Sequence, residues 1–246
     1  MKISYIGHGT VLVGTNRCKF ITDPLLVKRI ARIGPKRKVP LHIEEGSLDD
    51  IDFITISHGH FDHLDLRSLR MIHQDVPVVC HTTLQRIVRK TKHKPLPLTW
   101  WENTEINGIK ITAVPAFHFS ARPPFHFSAD YQGYVIEEGK TFYYAGDGGM
   151  SDFFNKIGQR FNIDIAFLPI GGYHPPYYRK HHLSPEDAFD AIVMMNAGLL
   201  IPIHWGTFSI SREPFDEPPK RLLEYAEKKG LLQTVKVLQP GESIEY

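Results

Sequence analysis

Short β-branched and aromatic runs bounded by glycine, proline or charge recur along the chain, a pattern of strands separated by turns and helices. They fall at Lys2 to Ile6, Val11 to Val13, Lys19 to Ile21 and Asp52 to Ile56, then at Ile109 to Val114, Tyr131 to Ile136, Thr141 to Tyr144, Ile163 to Leu168 and Leu199 to Ile203. Apolar residues at helical spacing predict helices near Leu66 to Gln74, Thr83 to Lys90, Ser151 to Ile157, Pro185 to Met195 and Lys220 to Lys229. The fourth of these has the clearest start: Ser184 supplies an N-cap, Pro185 an N1 proline, and Glu186 and Asp187 acidic first-turn residues. The longest apolar stretch, Ala191 to Ile203, is broken by Asn196, Gly198 and Pro202, so it reads as helix, turn and strand rather than as a membrane span. The Pro-rich pieces Lys94 to Pro97, Pro123-Pro124, Pro175-Pro176 and Pro214 to Pro219 are too short to separate domains. With 246 residues, 42% of them hydrophobic, and neither linker nor repeat, the pattern predicts one α/β domain over residues 1–246.

One break in this pattern carries chemistry. Directly after Ile51 to Ile56 stands Ser57-His58-Gly59-His60-Phe61-Asp62-His63-Leu64-Asp65, with four strong ligand side chains between positions 58 and 63. The loop joins a strand to a helix, as a preorganised metal site requires. The alternative is a His-rich surface loop without a specific ion. A loop of this kind cannot hold two ions alone, so the metal reading demands further ligands at other strand ends. His118 follows Ile109 to Val114, Asp147 follows Thr141 to Tyr144 within Ala145-Gly146-Asp147-Gly148-Gly149, and His204 follows Leu199 to Ile203. Each alone is weak, since Asp-Gly is first a turn signal and a lone His is commonly packed or solvated. Together they partition as His58, His60 and His118 on one ion, Asp62, His63 and His204 on another, and Asp147 between them.

In this order the residues resemble the metallo-β-lactamase superfamily, with its His-x-His-x-Asp-His loop, later His, bridging Asp and final His. Gly7-His8-Gly9-Thr10, Thr22-Asp23-Pro24, Gly34-Pro35-Lys36-Arg37, Leu168-Pro169-Ile170-Gly171, His182-Leu183-Ser184-Pro185-Glu186-Asp187-Ala188 and Ile203-His204-Trp205-Gly206-Thr207-Phe208 are similar to N-acylphosphatidylethanolamine-hydrolysing phospholipase D and its bacterial relatives. Ascorbate phosphate lactonase resembles the chain more distantly. The resemblance implies a four-layer αββα sandwich and a dinuclear hydrolase, most readily a zinc phosphodiesterase of phospholipase D type. The same chemistry would serve a lactonase or other carbonyl hydrolase, or a nuclease. A metal-stabilised binding protein is the nonenzymatic alternative.

The expected cofactor is a pair of divalent ions, Zn2+ first, with Mn2+ or Fe2+ accepted by the same imidazole and carboxylate donors. A water shared by two such ions becomes a nucleophile at neutral pH. Asp62 counts as catalytic as well as a ligand. His182, at the family's position before the helix start, is the expected proton donor to the leaving alcohol, with His181 as competitor. Asp23 is expected to orient a ligand His from behind, with His8 nearby, although a purely structural role fits either residue.

Charge and aromatic residues add expectations about substrate and partners. The net charge of +2 hides two basic clusters, Lys28, Arg29, Arg32, Lys36, Arg37, Lys38 and Arg86, Arg89, Lys90, Lys92, Lys94. Solvated loop and helix faces are the ordinary reading of both. Peripheral contact of the first cluster with an anionic membrane is the functional one, while the near-neutral total disfavours nucleic acid. Phe117, Phe119, Phe125 and Phe127 flank His118, and Tyr173, Tyr177 and Tyr178 surround His174. Facing the metals, they would wall in an acyl chain or ring, with Tyr173 touching substrate. Arg122 would then meet a phosphate, unless it forms a surface salt bridge. The expected substrate is a small-molecule or lipid phosphodiester, and the sequence leaves room for a homo-oligomer. Cys18 and Cys80 form no disulfide framework, and the first residues lack a sustained apolar segment, which predicts a cytoplasmic protein.

Overall fold

The computed structural model describes residues 1–119, 122 and 131–246. Its strands form two mixed sheets. The first joins, from edge to edge, β13 (Ser243–Glu245), β1 (Lys2–Gly7), β2 (Thr10–Gly14), β3 (Lys19–Thr22), β4 (Phe53–Ile56), β5 (Val78–His81) and β6 (Pro95–Leu98). The second joins β12 (Leu199–Ile203), β11 (Ile165–Pro169), β10 (Lys140–Tyr144), β9 (Gln132–Glu138), β8 (Ile109–Pro115) and β7 (Asn103–Ile106).

The sheets pack face to face because their inward positions are large and apolar. Phe20 of β3 stacks on Phe53 of β4 at 5.1 Å between centroids and meets Phe142 of β10 edge-on at 5.7 Å, so three fully buried rings tie the layers together. On the outer side of the first sheet, helices α1 (Leu66–Leu69) and α2 (Gln85–Val88) bury Leu69, Ile87 and Val88 against Ile54, Ile56 and Val78. After α3 (Phe153–Gly158), α4 (Pro185–Met195) and α5 (Glu217–Lys228) complete the fourth layer, and Phe189, Ile192 and Leu222 join the core under the second sheet. The expected αββα sandwich is therefore present. Among the described residues no helix is long and apolar enough to cross a membrane, and Cys18 and Cys80 are free and buried.

The largest departures from the sequence pattern are local. The helix expected over Leu66 to Gln74 stops at Leu69, because Met71 and Ile72 donate to the carbonyls three residues back and the chain leaves in tight turns. Its start is fixed by Asp65, whose side chain accepts from the Arg67 and Ser68 amides. The segment expected over Thr83 to Lys90 divides into a 3-10 turn, α2 and a second 3-10 turn. Strands β5, β6, β7 and β13 were outside the predicted set. Three of these are sheet edges, and β6, Pro-Leu-Pro-Leu, pairs with β5 on one side only, the position at which a strand tolerates proline. At α4 the expected N-cap Ser184 is present, and with Asp187 it forms a capping box in both directions.

Candidate metal centre

The ligand candidates meet because β1, β4, β8, β10 and β12 end at one rim of the sandwich. Three turns there hold unusual backbone: His8, Asp23 and His204 have φ of 58°, 33° and 62°, a region side chains seldom adopt. The surroundings over-determine them. The His204 amide donates to His8 O at 2.7 Å, and the His8 amide donates to Thr207 Oγ1 at 2.9 Å. Gly9 lets this turn lie against the site, since a Cβ there would stand 2.9 Å from the Tyr144 hydroxyl and 3.2 Å from the His63 ring.

Hydrogen bonds behind the rings assign which nitrogen faces forward. Ser57 Oγ donates to Asp23 Oδ2, so it accepts from His58 Nδ1 at 2.9 Å and leaves the His58 Nε2 lone pair forward. His118 Nδ1 donates to His181 O at 2.8 Å, and His63 Nδ1 to Asp23 Oδ2 at 2.6 Å, with the same result for their Nε2 atoms. His58 Nε2 lies 2.9 Å and His118 Nε2 3.3 Å from His60 Nδ1, so three nitrogens converge. Ligand atoms bound at about 2.0–2.1 Å around a tetrahedral zinc stand about 3.3–3.4 Å apart, so this spacing fits a divalent ion.

The second group is Asp62, His63 and His204, with His8 beside them. Asp147 joins the two: its side chain groups with His58, His60 and His118, while its Oδ2 is 3.3 Å from His63 Nε2 and its Oδ1 3.2 Å from His204 Nε2. Despite these approaches, His63 Nε2, Asp147 Oδ1 and both His204 ring nitrogens are buried without a hydrogen-bond partner. Buried polar atoms are rarely left so, and a cation would satisfy His63 Nε2, Asp147 Oδ1 and His204 Nε2, the atoms that face one another. His8 is different. Its Nε2 faces Asp62 Oδ2 at 2.9 Å, which makes it a donor that steadies the carboxylate.

Electrostatics suit the same arrangement. Burial, then the neighbouring His63, His60 and His118 rings, hold His58 well below the usual imidazole range, and burial brings His118 down to about 3. Both rings are thus neutral, the form that binds metal. Burial opposes charge on Asp147, but His204 and His63 outweigh it and keep the carboxyl well below its ordinary range. Burial likewise opposes charge on Asp62, which His63 and His8 hold ionised. Two carboxylates kept ionised in a buried site call for positive charge.

Asp23 is fully buried behind His63. Its Oδ1 accepts from the Ser57 amide at 2.7 Å, and its Oδ2 from Ser57 Oγ, His63 Nδ1 and the Tyr144 hydroxyl, the last at 2.6 Å. These donors occupy the carboxylate and make it a support for His63. Sequence reasoning missed Ser57 and Tyr144; their one signal was adjacency, Ser57 to His58 and Tyr144 to the Ala-Gly-Asp turn.

His182 borders the centre, with Nδ1 3.8 Å from Asp147 Oδ2 and its ring 5.0 Å from that of His118. Gly172, at φ +87°, makes room for it, since a Cβ there would lie 2.8 Å from His182 Nδ1. Burial lowers His182 to about 4, so the ring is neutral at pH 7 and an imidazolium donor is not its resting form. His181 turns its ring onto Phe117 at 5.8 Å between centroids and supplies its carbonyl to His118.

Two residues expected to touch substrate, Arg122 and Tyr173, are engaged with other parts of the protein. Arg122 is buried, stacks over Phe61 at 4.1 Å, and its Nη1 donates to the carbonyls of Gly59 at 2.9 Å and Leu64 at 2.8 Å. These bonds clamp the ligand loop from behind. Tyr173 is buried under Arg221, and its hydroxyl is bonded to Glu217 at 3.0 Å. Of the aromatic wall, Phe117, Phe119, Tyr177 and Tyr178 stand exposed beside His181 and His182, whereas Phe125 and Phe127 lie outside the described residues. Arg37 also leaves the basic cluster: it is buried and donates to Leu25 O at 2.7 Å.

Comparison with known proteins agrees with this geometry. Residues 19–205 match the family model described as Beta-lactamase superfamily domain. The N-acyl-phosphatidylethanolamine-hydrolyzing phospholipase D 1 of Caenorhabditis elegans is 33% identical, over 90% of this chain and 68% of its own length. A UPF0173 metal-dependent hydrolase of Pelotomaculum thermopropionicum is 27% identical over the whole of both chains. Among solved structures, a metallo hydrolase from the archaeon Ignicoccus hospitalis superposes with a TM-score of 0.74 at 22% identity, covering 100% of this chain and 98% of the other. A match over most of the chain, joined to two ligand groups at the rim of an αββα sandwich, means that the chain belongs to the beta-lactamase superfamily as a metal-dependent hydrolase.

Proposed function

We propose that residues 1–246 form one dinuclear phosphodiesterase domain of phospholipase D type, with Zn2+ as the first candidate metal. The observation that carries the reading is Asp147, whose carboxylate touches both ligand groups at once. His58, His60 and His118 would hold one ion, Asp62, His63 and His204 the other, and Asp147 both. When bound, such a pair supplies Lewis acidity and brings a water to near-neutral pKa. The phosphodiester reading draws support from the relative named as a phospholipase D at 33% identity.

The chain's own residues set the geometry in which a phosphodiester would react. Asp23 and the His181 carbonyl lock the tautomers of His63 and His118, and Arg122 fixes the loop that carries His58 to His63. His182, neutral and at the rim, would give a hydrogen bond to the departing oxygen as negative charge grows on it.

The purified, metal-loaded chain is expected to cleave both an activated aryl phosphodiester and an alkyl one, releasing a phosphomonoester and an alcohol. His182→Ala should slow the alkyl substrate about a hundredfold and the aryl one much less, because a nitrophenolate departs without help. Metal content measured on the same samples should not change. Equal losses on both substrates reject the role given to His182, and turnover of lactones without turnover of phosphodiesters replaces the phosphodiesterase by a carbonyl hydrolase.

A further inference from the structure

Between Asp23 and Glu44 the chain has no acidic residue, and within that span Lys28 to Lys38 forms a loop of turns. Its stem is hairpin-like: Arg29 bridges Lys36, the Ile30 amide donates to Pro35 O at 3.1 Å, and the Arg37 amide to Lys28 O at 2.9 Å. The buried Arg37 guanidinium pins the base to Leu25 O. At the tip, Ala31 and Arg32 have φ of 47° and 69°, and the turn they make separates two isoleucines. Ile30 is 7% exposed, packed with Leu25 and Phe208, whereas Ile33 is 91% exposed.

Ile33 is the most exposed large hydrophobic side chain among the described residues, and Lys28, Arg29, Arg32, Lys36 and Lys38 stand exposed around it. The loop is rooted at the metal centre. Its base packs on Phe61, between His60 and Asp62, and on Phe208, whose ring meets that of His8 at 5.5 Å. The next two most exposed large hydrophobics, Tyr177 at 70% and Phe119 at 64%, border the same centre beside Tyr178 and His118. A single exposed isoleucine needs no explanation. An apolar tip held out by a pinned turn, ringed by cations and set beside a hydrolytic centre, is another matter.

We infer that the Lys28 to Lys38 loop docks the face bearing the centre onto an anionic lipid bilayer. Ile33 would enter the acyl boundary while the surrounding lysines and arginines remain at the head groups. Charge complementarity selects this occupant. The cations carry no acidic counterpart within the loop, and an apolar tip has no use for a phosphate backbone in water. The binding is measured without turnover, so it stands or falls apart from the phosphodiesterase reading.

The test is sedimentation of the full chain with vesicles of phosphatidylcholine alone and of phosphatidylcholine mixed with phosphatidylserine. The chain should sediment with the mixed vesicles only, and less as salt rises. Ile33→Ser should weaken the partition about tenfold, and Arg32→Gln and Lys36→Gln about fivefold each. Lys94→Gln, which removes an exposed cation outside the loop, should leave it unchanged. Thermal unfolding of each variant confirms that the fold is intact. The inference is overturned by equal binding to both vesicles, by no binding to the anionic ones, or by loop variants that bind like the parent. Retention on duplex DNA without vesicle binding, or a loss with Lys94→Gln equal to the loop losses, overturns it as well.

Discussion

Asp147→Ala is expected to lower turnover by more than about a hundredfold while the metal-free chain still folds. Substitutions behind a metal ligand commonly cost about 10–100-fold in affinity or activity, and Asp147 stands in front, touching both ligand groups. Its effect on folding should be small by comparison. In the metal-free chain Asp147 Oδ1 is a buried acceptor without a hydrogen bond and the carboxylate faces the His63 and His204 rings, so removing it costs less than removing the multiply bonded Asp23. The measurements are turnover, metal content and denaturant midpoint on the same variant. Wild-type turnover would remove Asp147 from the centre, and loss of folding equal to the loss of turnover would make its role structural.

Asp23→Ala is expected to do the reverse, with the fold failing first. The substitution strands the Ser57 amide, Ser57 Oγ, His63 Nδ1 and the Tyr144 hydroxyl in a fully buried place. Removing one member of a buried charged network destabilises by about 3–5 kcal/mol, a large part of the roughly 5–15 kcal/mol that a domain has. Urea unfolding of the metal-free chain reads this directly. Asp23→Asn keeps the shape but disturbs the acceptor for His63, and it should show about 10–100-fold weaker metal affinity with a smaller loss of stability. A metal-free Asp23→Ala as stable as the parent contradicts the network account.

The contrast between these two aspartates shows what a sequence displays and what it hides. The ligand candidates stood out because each chemically distinctive side chain follows a strong strand pattern, as His204 follows Leu199–Ile203. Three of the four edge strands did not, because β6, β7 and β13 are short and proline-containing or polar, and their pairing comes from distant partners. The same reason hid the roles of Arg122 and Tyr173. Arg122 clamps carbonyls about sixty positions earlier in the chain and Tyr173 bonds a glutamate on α5, and nothing in the residues around either one records those distances. Ser57 and Tyr144 remained unremarkable until Asp23 was seen between them.

Two ligand groups that share Asp147 should hold two ions. Elemental analysis of the chain after saturation with Zn2+ and removal of excess, with turnover measured on the same preparation, tests it most directly. Two ions per chain are expected, with loss of turnover on chelation and recovery only as the second equivalent returns. One ion per chain with full turnover would contradict it.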